Sequence, residues 1–418
     1  MLDLRPVFFI VGLMVSALGI AMFIPMIVDL IYNDNSWRAF GISGILTALF
    51  GASLALATYT PNPNMRAREA FLLTVLSWVS LSIFSAVPFI MEPLKLSITD
   101  ALFEATSGIT TTGSTVLLGL DDMPKGILMW RSILQWIGGI GIVVTAMAVL
   151  PMLKIGGMQL FRLESSDMGE KILPKAASLA AGISGIYFTL TVLCMFGYIA
   201  TGMNSFDAIS HAMTTLATGG FSTSDTSMGG FMDNGADLVC IFFMMSAAIP
   251  FGVYLLIITR GDWIAPLRDS QVRAFIALIL TLIAVVTLYL WLNSELTRSR
   301  ALRLSAFNVI SIVTGTGFAT ADYSTWGPFA VSTFFAFMFI GGCAGSTACS
   351  IKIFRYQVAF EGLRSYLFKM PRQHSVSPLR YGGKILPEAV LFSVMGYFFL
   401  FFVWPQNMFP KICNFFLL

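Results

Sequence analysis

The sequence predicts an all-α membrane protein built from a repeated unit of helix, half-helix, loop and helix. Three observations carry that reading. Of the 418 residues, 56% are hydrophobic and 11% charged, against about a quarter charged in an ordinary soluble domain, and mean hydropathy is +0.81. Charge-free apolar windows recur at the length of about 20 residues that a helix needs to cross a hydrocarbon core. A Gly/Thr-rich pattern returns three times at near-constant spacing. Such a balance excludes a soluble enzyme, a disordered tail and a nucleic-acid binder; a net charge of +3 is unremarkable. The 5 Cys are scattered without a CxxC pair and only 2 His are present, which indicates neither a disulfide framework nor a zinc site.

Nine windows are long enough to span: Ile10–Val28, Phe40–Thr58, Ala70–Met91, Ser132–Leu153, Ala176–Phe206, Leu238–Thr259, Ala274–Ser294, Tyr323–Ile351 and Ala389–Pro410. The first lacks a small-x-small cleavage site and continues through Ile24-Pro25 to Leu30, so it reads as a retained helix rather than a signal peptide. Lys and Arg placement sets the orientation. With the N-terminus in the cytoplasm, most of the 25 Lys and Arg lie inside, from Arg5, Arg66 and Arg68 to the run Lys352–Lys384. Arg298, Arg300 and Arg303, on the outside, weaken the asymmetry without reversing it.

Three outside connections are too long for turns and too apolar for solvated loops: Ser97–Thr115, Ser205–Thr223 and Ser305–Thr320. Each reads as a helix of about three turns, too short to span, followed by a Thr/Gly-rich extended segment. The first two begin with Ser or Asp at N-cap positions (Ser97 and Asp100; Ser205 and Asp207). Gly113 to Gly219 is 106 residues and Gly219 to Gly317 is 98. The repeat divides the chain into two extra helices (1–60), three units (61–155, 156–262, 263–370) and the outer helix of a fourth (371–418).

Non-helical backbone at membrane depth is tolerated only where protein buries it or water lines it. Several such loops meeting on one axis stack their carbonyls around a water-filled path, and carbonyls can replace the hydration shell of a monovalent cation. Gly permits the positive φ that turns successive carbonyls the same way, Thr hydroxyls add oxygen ligands, and each half-helix aims its negative C-terminal end at the ion. The candidate filter residues are Thr111, Thr112 and Gly113; Ala217, Thr218 and Gly219; Gly315, Thr316 and Gly317.

Ile109–Thr115, Ala217–Thr223 and Thr314–Thr320 resemble the pore loops of the Trk/Ktr/HKT superfamily of potassium transporters, its bacterial Trk branch above all. Further stretches are similar to that family: Arg66-Ala67-Arg68-Glu69-Ala70-Phe71-Leu72, Leu134-Gln135-Trp136-Ile137-Gly138-Gly139-Ile140-Gly141, Gly156-Gly157-Met158-Gln159-Leu160, Leu267-Arg268-Asp269, and Gly341-Gly342-Cys343-Ala344-Gly345-Ser346-Thr347 with Lys352 and Arg355. The resemblance covers residues from about 5 to about 400. It implies units arranged around a pseudo-fourfold pore and potassium uptake across the cell inner membrane. It further implies a homodimer in the lipid bilayer, gated by a cytoplasmic nucleotide-binding (RCK-type) regulatory subunit. No enzyme activity, no cofactor and no nucleic-acid partner is expected; the potassium ion is the cargo. Channel-like conduction and cation symport both stay open.

Gly341–Ser350 interrupts a long apolar window with small residues. It reads either as a packing seam or as a loop below the filter that obstructs the pore; the resemblance implies the latter, an intramembrane gating loop comprising Gly341, Gly342, Gly345, Ser346 and Thr347 with Lys352. Ala348-Cys349-Ser350 stands where related proteins tend to carry more Gly, which would stiffen it. His211, in the second half-helix, reads as a packed or hydrogen-bonded residue rather than a ligand. Glu104 and Asp207 either attract cations to the outer mouth or favour their half-helix N-termini. Asp225, Asp233 and Asp237 form either an acidic vestibule or a solvated loop. The basic run Lys352–Lys384 reflects positive-inside bias and offers a docking face for a soluble partner. A fourth filter glycine would fall near residue 417, and Trp404–Leu418 contains neither Gly nor Thr. The fourth unit is therefore expected to be incomplete, and the alternative function is a truncated, non-conducting remnant of a transporter.

Overall fold

A computed structural model of the chain describes residues 3–61, 67–144, 176–232, 234–371, 379–382 and 384–416. Arg66, Lys154, Gly156–Leu160, Asp233, Arg372 and Leu417–Leu418 lie outside the described residues, as do the side chains of Lys384 and of 404–416.

The described chain is almost wholly helical. Helices α1 (Arg5–Ala21) and α2 (Phe23–Tyr32) form the first span, α3 (Trp37–Ala57) the second and α4 (Ala67–Ile90) the third. The half-helix α5 (Ile98–Ile109) and helix α6 (Lys125–Val144) complete the first unit. The second holds α7 (Ala176–Ala200), the half-helix α8 (Ser205–Leu216), α9 (Ala236–Ala247) and α10 (Phe251–Arg260). After a short α11 (Ala265–Arg268), the third holds α12 (Ser270–Asn293), α13 (Arg298–Thr314), α14 (Pro328–Phe337) and α15 (Ile353–Lys369). A two-residue hairpin follows, Arg380–Tyr381 against Lys384–Ile385, and then α16 (Glu388–Phe416). Among the described residues, five helices are long and apolar enough to span, or six when the bent pair α9 and α10 is counted as one. The protein is a multi-pass membrane protein.

Small residues bring α1 and α3 together. A Cβ on Gly19 would stand 2.4 Å from Ala48 N, and one on Gly51 would stand 2.4 Å from Ser16 N, so the backbones touch where side chains would hold them apart. One core packs the N-terminal helices on the first unit, around Phe40, Phe89, Trp130 and Leu134, and the Trp130 indole donates to Ser85 O at 3.1 Å. A second core joins units two and three through Tyr187, Phe251, Phe275 and Phe307.

Four elements differ from the sequence expectation. The window Leu238–Thr259 is not one helix: α9 and α10 meet at 86°, because Pro250 has no N–H to continue the ladder and disfavours helix in the residue before it. The window Tyr323–Ile351 likewise breaks after α14, and its second half is an irregular loop, with Ile340 bridging Ile351 in parallel. The third half-helix starts at Arg298 rather than Ser305 and runs 17 residues, long because its basic first turns stay at the outer surface. Ser97 caps α5 as expected, accepting from Asp100 N, but α8 is capped by Asn204, which accepts from Asp207 N, so Ser205 lies inside the helix.

The N-terminal helices do more than cover the first unit. Asp29 in α2 accepts from Gly126 N at 2.5 Å and from the Ser36 hydroxyl at 2.6 Å, and Asp34 accepts from Lys125 N at 2.8 Å. Two carboxylates thus satisfy the open N–H groups at the start of α6 and complement its positive end. A Cβ at residue 126 would meet both Asp29 carboxylate oxygens at 2.3 Å, so a side chain there must displace the Asp29 carboxylate.

Candidate functional site

The three half-helices end in one repeated backbone conformation. Thr112 N donates to Ser107 O, Gly219 N to Thr214 O and Thr316 N to Ser311 O, each over 2.9 Å and each five residues back. Thr111, Thr218 and Gly315 all take positive φ (57°, 50° and 74°), and two residues later Gly113, Gly220 and Gly317 take φ of 82°, 80° and 82°. Each half-helix closes with a left-handed cap that satisfies its last carbonyls, and the chain then turns outward on a glycine.

This geometry corrects the register of the second loop. Sequence spacing set Gly219 beside Gly113 and Gly317, whereas the backbone sets Gly220 there, with Thr218 and Gly219 matching Thr111 and Thr112. Ala217 falls at the helix C-cap with helical dihedrals, the place of Thr110 and Thr314. Two adjacent glycines at 219 and 220 made the spacing ambiguous.

The loops touch in order around a common axis. A Cβ on Gly113 would stand 2.2 Å from Gly219 O, and one on Gly220 would stand 1.9 Å from Thr316 O. The same pair of positions meets twice, first loop to second and second to third, as rotation about an axis requires. Gly317 has nothing within 4 Å of its Cβ position among the described residues. The three half-helix C-termini converge there, so the axis collects carbonyl oxygens and the negative helix ends, a setting for a cation. The Thr hydroxyls are partly engaged within the loops: Thr110 with Thr112 and Thr314 with Thr316, both at 2.8 Å, while the Thr218 hydroxyl donates to Ala217 O. Gln135 of α6 braces the second loop, donating to Gly219 O at 2.7 Å and accepting from Phe221 N at 3.1 Å.

The segment Gly341–Ser350 lies directly beneath these loops. Cys343 N and Thr347 N donate to Ala248 O and Ala247 O, and Gly345 O accepts from Phe251 N. The segment therefore pairs with backbone groups left open where α9 breaks from α10, which is why both broken windows occur together. Its far end reaches the three Gly/Thr loops. Cys349 N donates to Thr314 O at 3.2 Å, the Thr347 hydroxyl donates to Leu216 O at 3.1 Å, and the Cys349 thiol stands 4.0 Å from the Thr111 hydroxyl. A Cβ on Gly315 would be 2.7 Å from Cys349 Cβ. Lys352 donates to Ser346 O and Ala348 O, and Gln271 accepts from Ala344 N. Close approach accounts for Gly341 and Gly342, whose Cβ atoms would meet Cys349 O at 2.0 Å and Ala348 Cβ at 2.7 Å.

The acidic candidates of the outer mouth separate. Glu104 is fully buried, paired with Arg131 Nε at 2.7 Å, and accepts from the Thr115 hydroxyl and Val116 N, so it is no vestibule charge. Asp237 is buried and held bidentate by Arg303 at 2.5 and 2.6 Å. Asp207 accepts from the Thr223 hydroxyl at 2.6 Å, and Asp225 is exposed. Sequence reasoning missed Arg131, Gln135, Arg303 and Asp29. The signal for the first two was a charge and an amide at the start of an apolar window, where membrane segments tolerate them only in the protein interior.

A family model described as a cation transport protein, TrkH, matches residues 37–406. The Trk system potassium uptake protein TrkI of Halomonas elongata is 40% identical over 401 residues, covering 95% of this chain and 81% of that protein. TrkH of Escherichia coli K12, another Trk system potassium uptake protein, is 37% identical over 393 residues, 93% of this chain and 81% of that protein. The crystal structure of the potassium transporter TrkH from Vibrio parahaemolyticus superposes with a TM-score of 0.87 at 34% identity, covering 95% of this chain and 83% of that one. Matched over most of its length in family, sequence and structure, the chain belongs to the TrkH family of cation transport proteins.

Proposed function

We propose that the protein takes up potassium across the cell inner membrane through a carbonyl filter formed by Thr111–Gly113, Thr218–Gly220 and Gly315–Gly317. One observation carries the reading. Three loops adopt the same backbone conformation and meet in the same pairwise contact around one axis, at the C-terminal ends of three half-helices. A dehydrated monovalent cation needs that supply of fixed carbonyl oxygens. The relatives, named as potassium uptake proteins, identify the ion.

Gly341–Ser350 is the gate. Cys349 lies against Thr111 of the first loop and Gly315 of the third, so the segment crosses the path below the filter and must move for ions to pass. The Lys352 and Gln271 side chains anchor the segment, and its backbone bonds reach the α9–α10 break, Thr314 O and Ile351 O. The units are 61–155, 156–262 and 263–370, followed by residues 371–418, and the protein works as a homodimer. A cytoplasmic nucleotide-binding RCK-type subunit docks at α15 and the hairpin, where Arg364 and Arg380 are exposed. Complementation in a potassium-requiring strain tests the reading: growth at limiting potassium is expected, and no potassium uptake by a protein present in the membrane would overturn it.

A further inference from the structure

Counted back nine residues from Gly113, Gly220 and Gly317, the half-helices carry Glu104, His211 and Asn308. All three are buried. Each spans from its half-helix to the irregular segment that leaves the proposed filter loop of the same unit. Glu104 accepts from the Thr115 hydroxyl at 2.9 Å and from Val116 N at 3.1 Å. His211 Nε2 lies 3.0 Å from the Ser222 hydroxyl, with which it bonds. Asn308 donates to the Thr320 hydroxyl at 2.9 Å and accepts from Thr320 N at 3.3 Å. The partners stand two or three residues past the filter glycine in every case. Three chemically different side chains thus make one connection, and no sequence pattern of identical residues announces it.

The same position also meets the next loop. Phe221 and Phe318 each follow the filter glycine by one residue. Arg131, ion-paired with Glu104, lies 4.0 Å over the Phe221 ring and donates to Ser222 O at 3.1 Å, and the His211 ring stands 5.8 Å from that of Phe318. The first connection therefore bears on the second loop and the second on the third. At His211 the other ring nitrogen is committed: Nδ1 bonds Asp207 O at 2.9 Å, and since a carbonyl only accepts, Nδ1 carries the proton.

We infer that Glu104, His211 and Asn308 are positioning residues of the proposed filter, each holding its loop at a fixed depth and against its neighbour. The inference rests on the potassium-filter reading above. A carbonyl site distinguishes ions of similar charge by the placement of its oxygens, so a loop released on its outer side loses discrimination before it loses passage.

The test uses potassium uptake and its inhibition by sodium in proteoliposomes of the full chain, with the membrane abundance of each variant measured. His211→Asn keeps a donor for Asp207 O but falls short of Ser222, whereas His211→Gln reaches Ser222. His211→Asn and Ser222→Ala are expected to lower potassium-over-sodium discrimination by about tenfold, the equivalent of about 1.4 kcal/mol in relative ion binding, and His211→Gln to retain it. A parent protein that discriminates, with Asn and Gln variants that discriminate alike, overturns the positioning role. A parent that takes up sodium as well as potassium overturns the filter reading itself, and this inference with it.

Discussion

Replacing the loop glycines one at a time separates steric contact from backbone strain. At Gly113 and Gly220 an Ala side chain meets a carbonyl oxygen of the next loop at 2.2 and 1.9 Å, inside the 3.0 Å that real Cβ atoms keep. The neighbouring loop must therefore retreat by about 1 Å, roughly twice the tolerance of a preorganised site. Holding a non-glycine residue at positive φ costs about 1–2 kcal/mol more. At Gly317 the φ is the same, 82°, but no described atom lies within 4 Å, so only the strain applies. Gly219 differs again: it is not at positive φ, and its Cβ would press on the Gln135 amide at 2.4 Å. Potassium uptake with sodium competition is expected to show the largest loss of discrimination in Gly113→Ala and Gly220→Ala, about tenfold or more, and a smaller one in Gly317→Ala. Equal discrimination in all of these variants, or a Gly317→Ala protein that suffers most, would refute the contact argument.

Other outcomes follow from single contacts. Cys349→Gly removes the side chain lying against Thr111 and Gly315 and should raise potassium flux by about tenfold, the equivalent of about 1.4 kcal/mol between closed and open loop; flux unchanged at normal expression would assign Gly341–Ser350 to packing. Arg131→Leu leaves Glu104 buried and uncompensated and should cost about 3–5 kcal/mol, read as early thermal unfolding in detergent, with the Glu104→Leu/Arg131→Leu double variant losing less. A double variant as unstable as the single one would contradict a desolvation origin. Gly126→Ala should displace Asp29 from the start of α6 and cost about 1–2 kcal/mol, as should Asp29→Ala; wild-type thermal stability in both would show that the cap contributes nothing.

Much of the architecture was legible because membrane helices declare themselves by length and lack of charge. The half-helices were legible because α5 and α8 are too short to span and end in Gly and Thr. What escaped was whatever depends on contact between separate elements. The break between α9 and α10 carries only Pro250 as a local sign, and the groups that satisfy its open backbone, at Cys343, Gly345 and Thr347, lie about a hundred residues on. The pairing of Glu104 with Arg131, and of Asp237 with Arg303, joins charges that in sequence read as outer-mouth decoration. The register of the second loop failed for a narrower reason: with Gly219 and Gly220 adjacent, only φ distinguishes the one that turns the chain from the one that faces Gln135. The His211 reading as a hydrogen-bonded helix residue agrees with its bonds to Asp207 O and Ser222, though its match to Glu104 and Asn308 emerges only after the register is corrected.

The proposed uptake path places a potassium ion on the axis shared by the three loops, held by their carbonyl oxygens. Anomalous diffraction from crystals of the protein grown with thallium(I), a potassium surrogate, locates that ion directly. A peak is expected on the axis between Thr111–Gly113, Thr218–Gly220 and Gly315–Gly317, above Cys349, that potassium displaces and sodium does not. Ordered loops with no peak between them, or a peak that sodium displaces as readily as potassium, would contradict it.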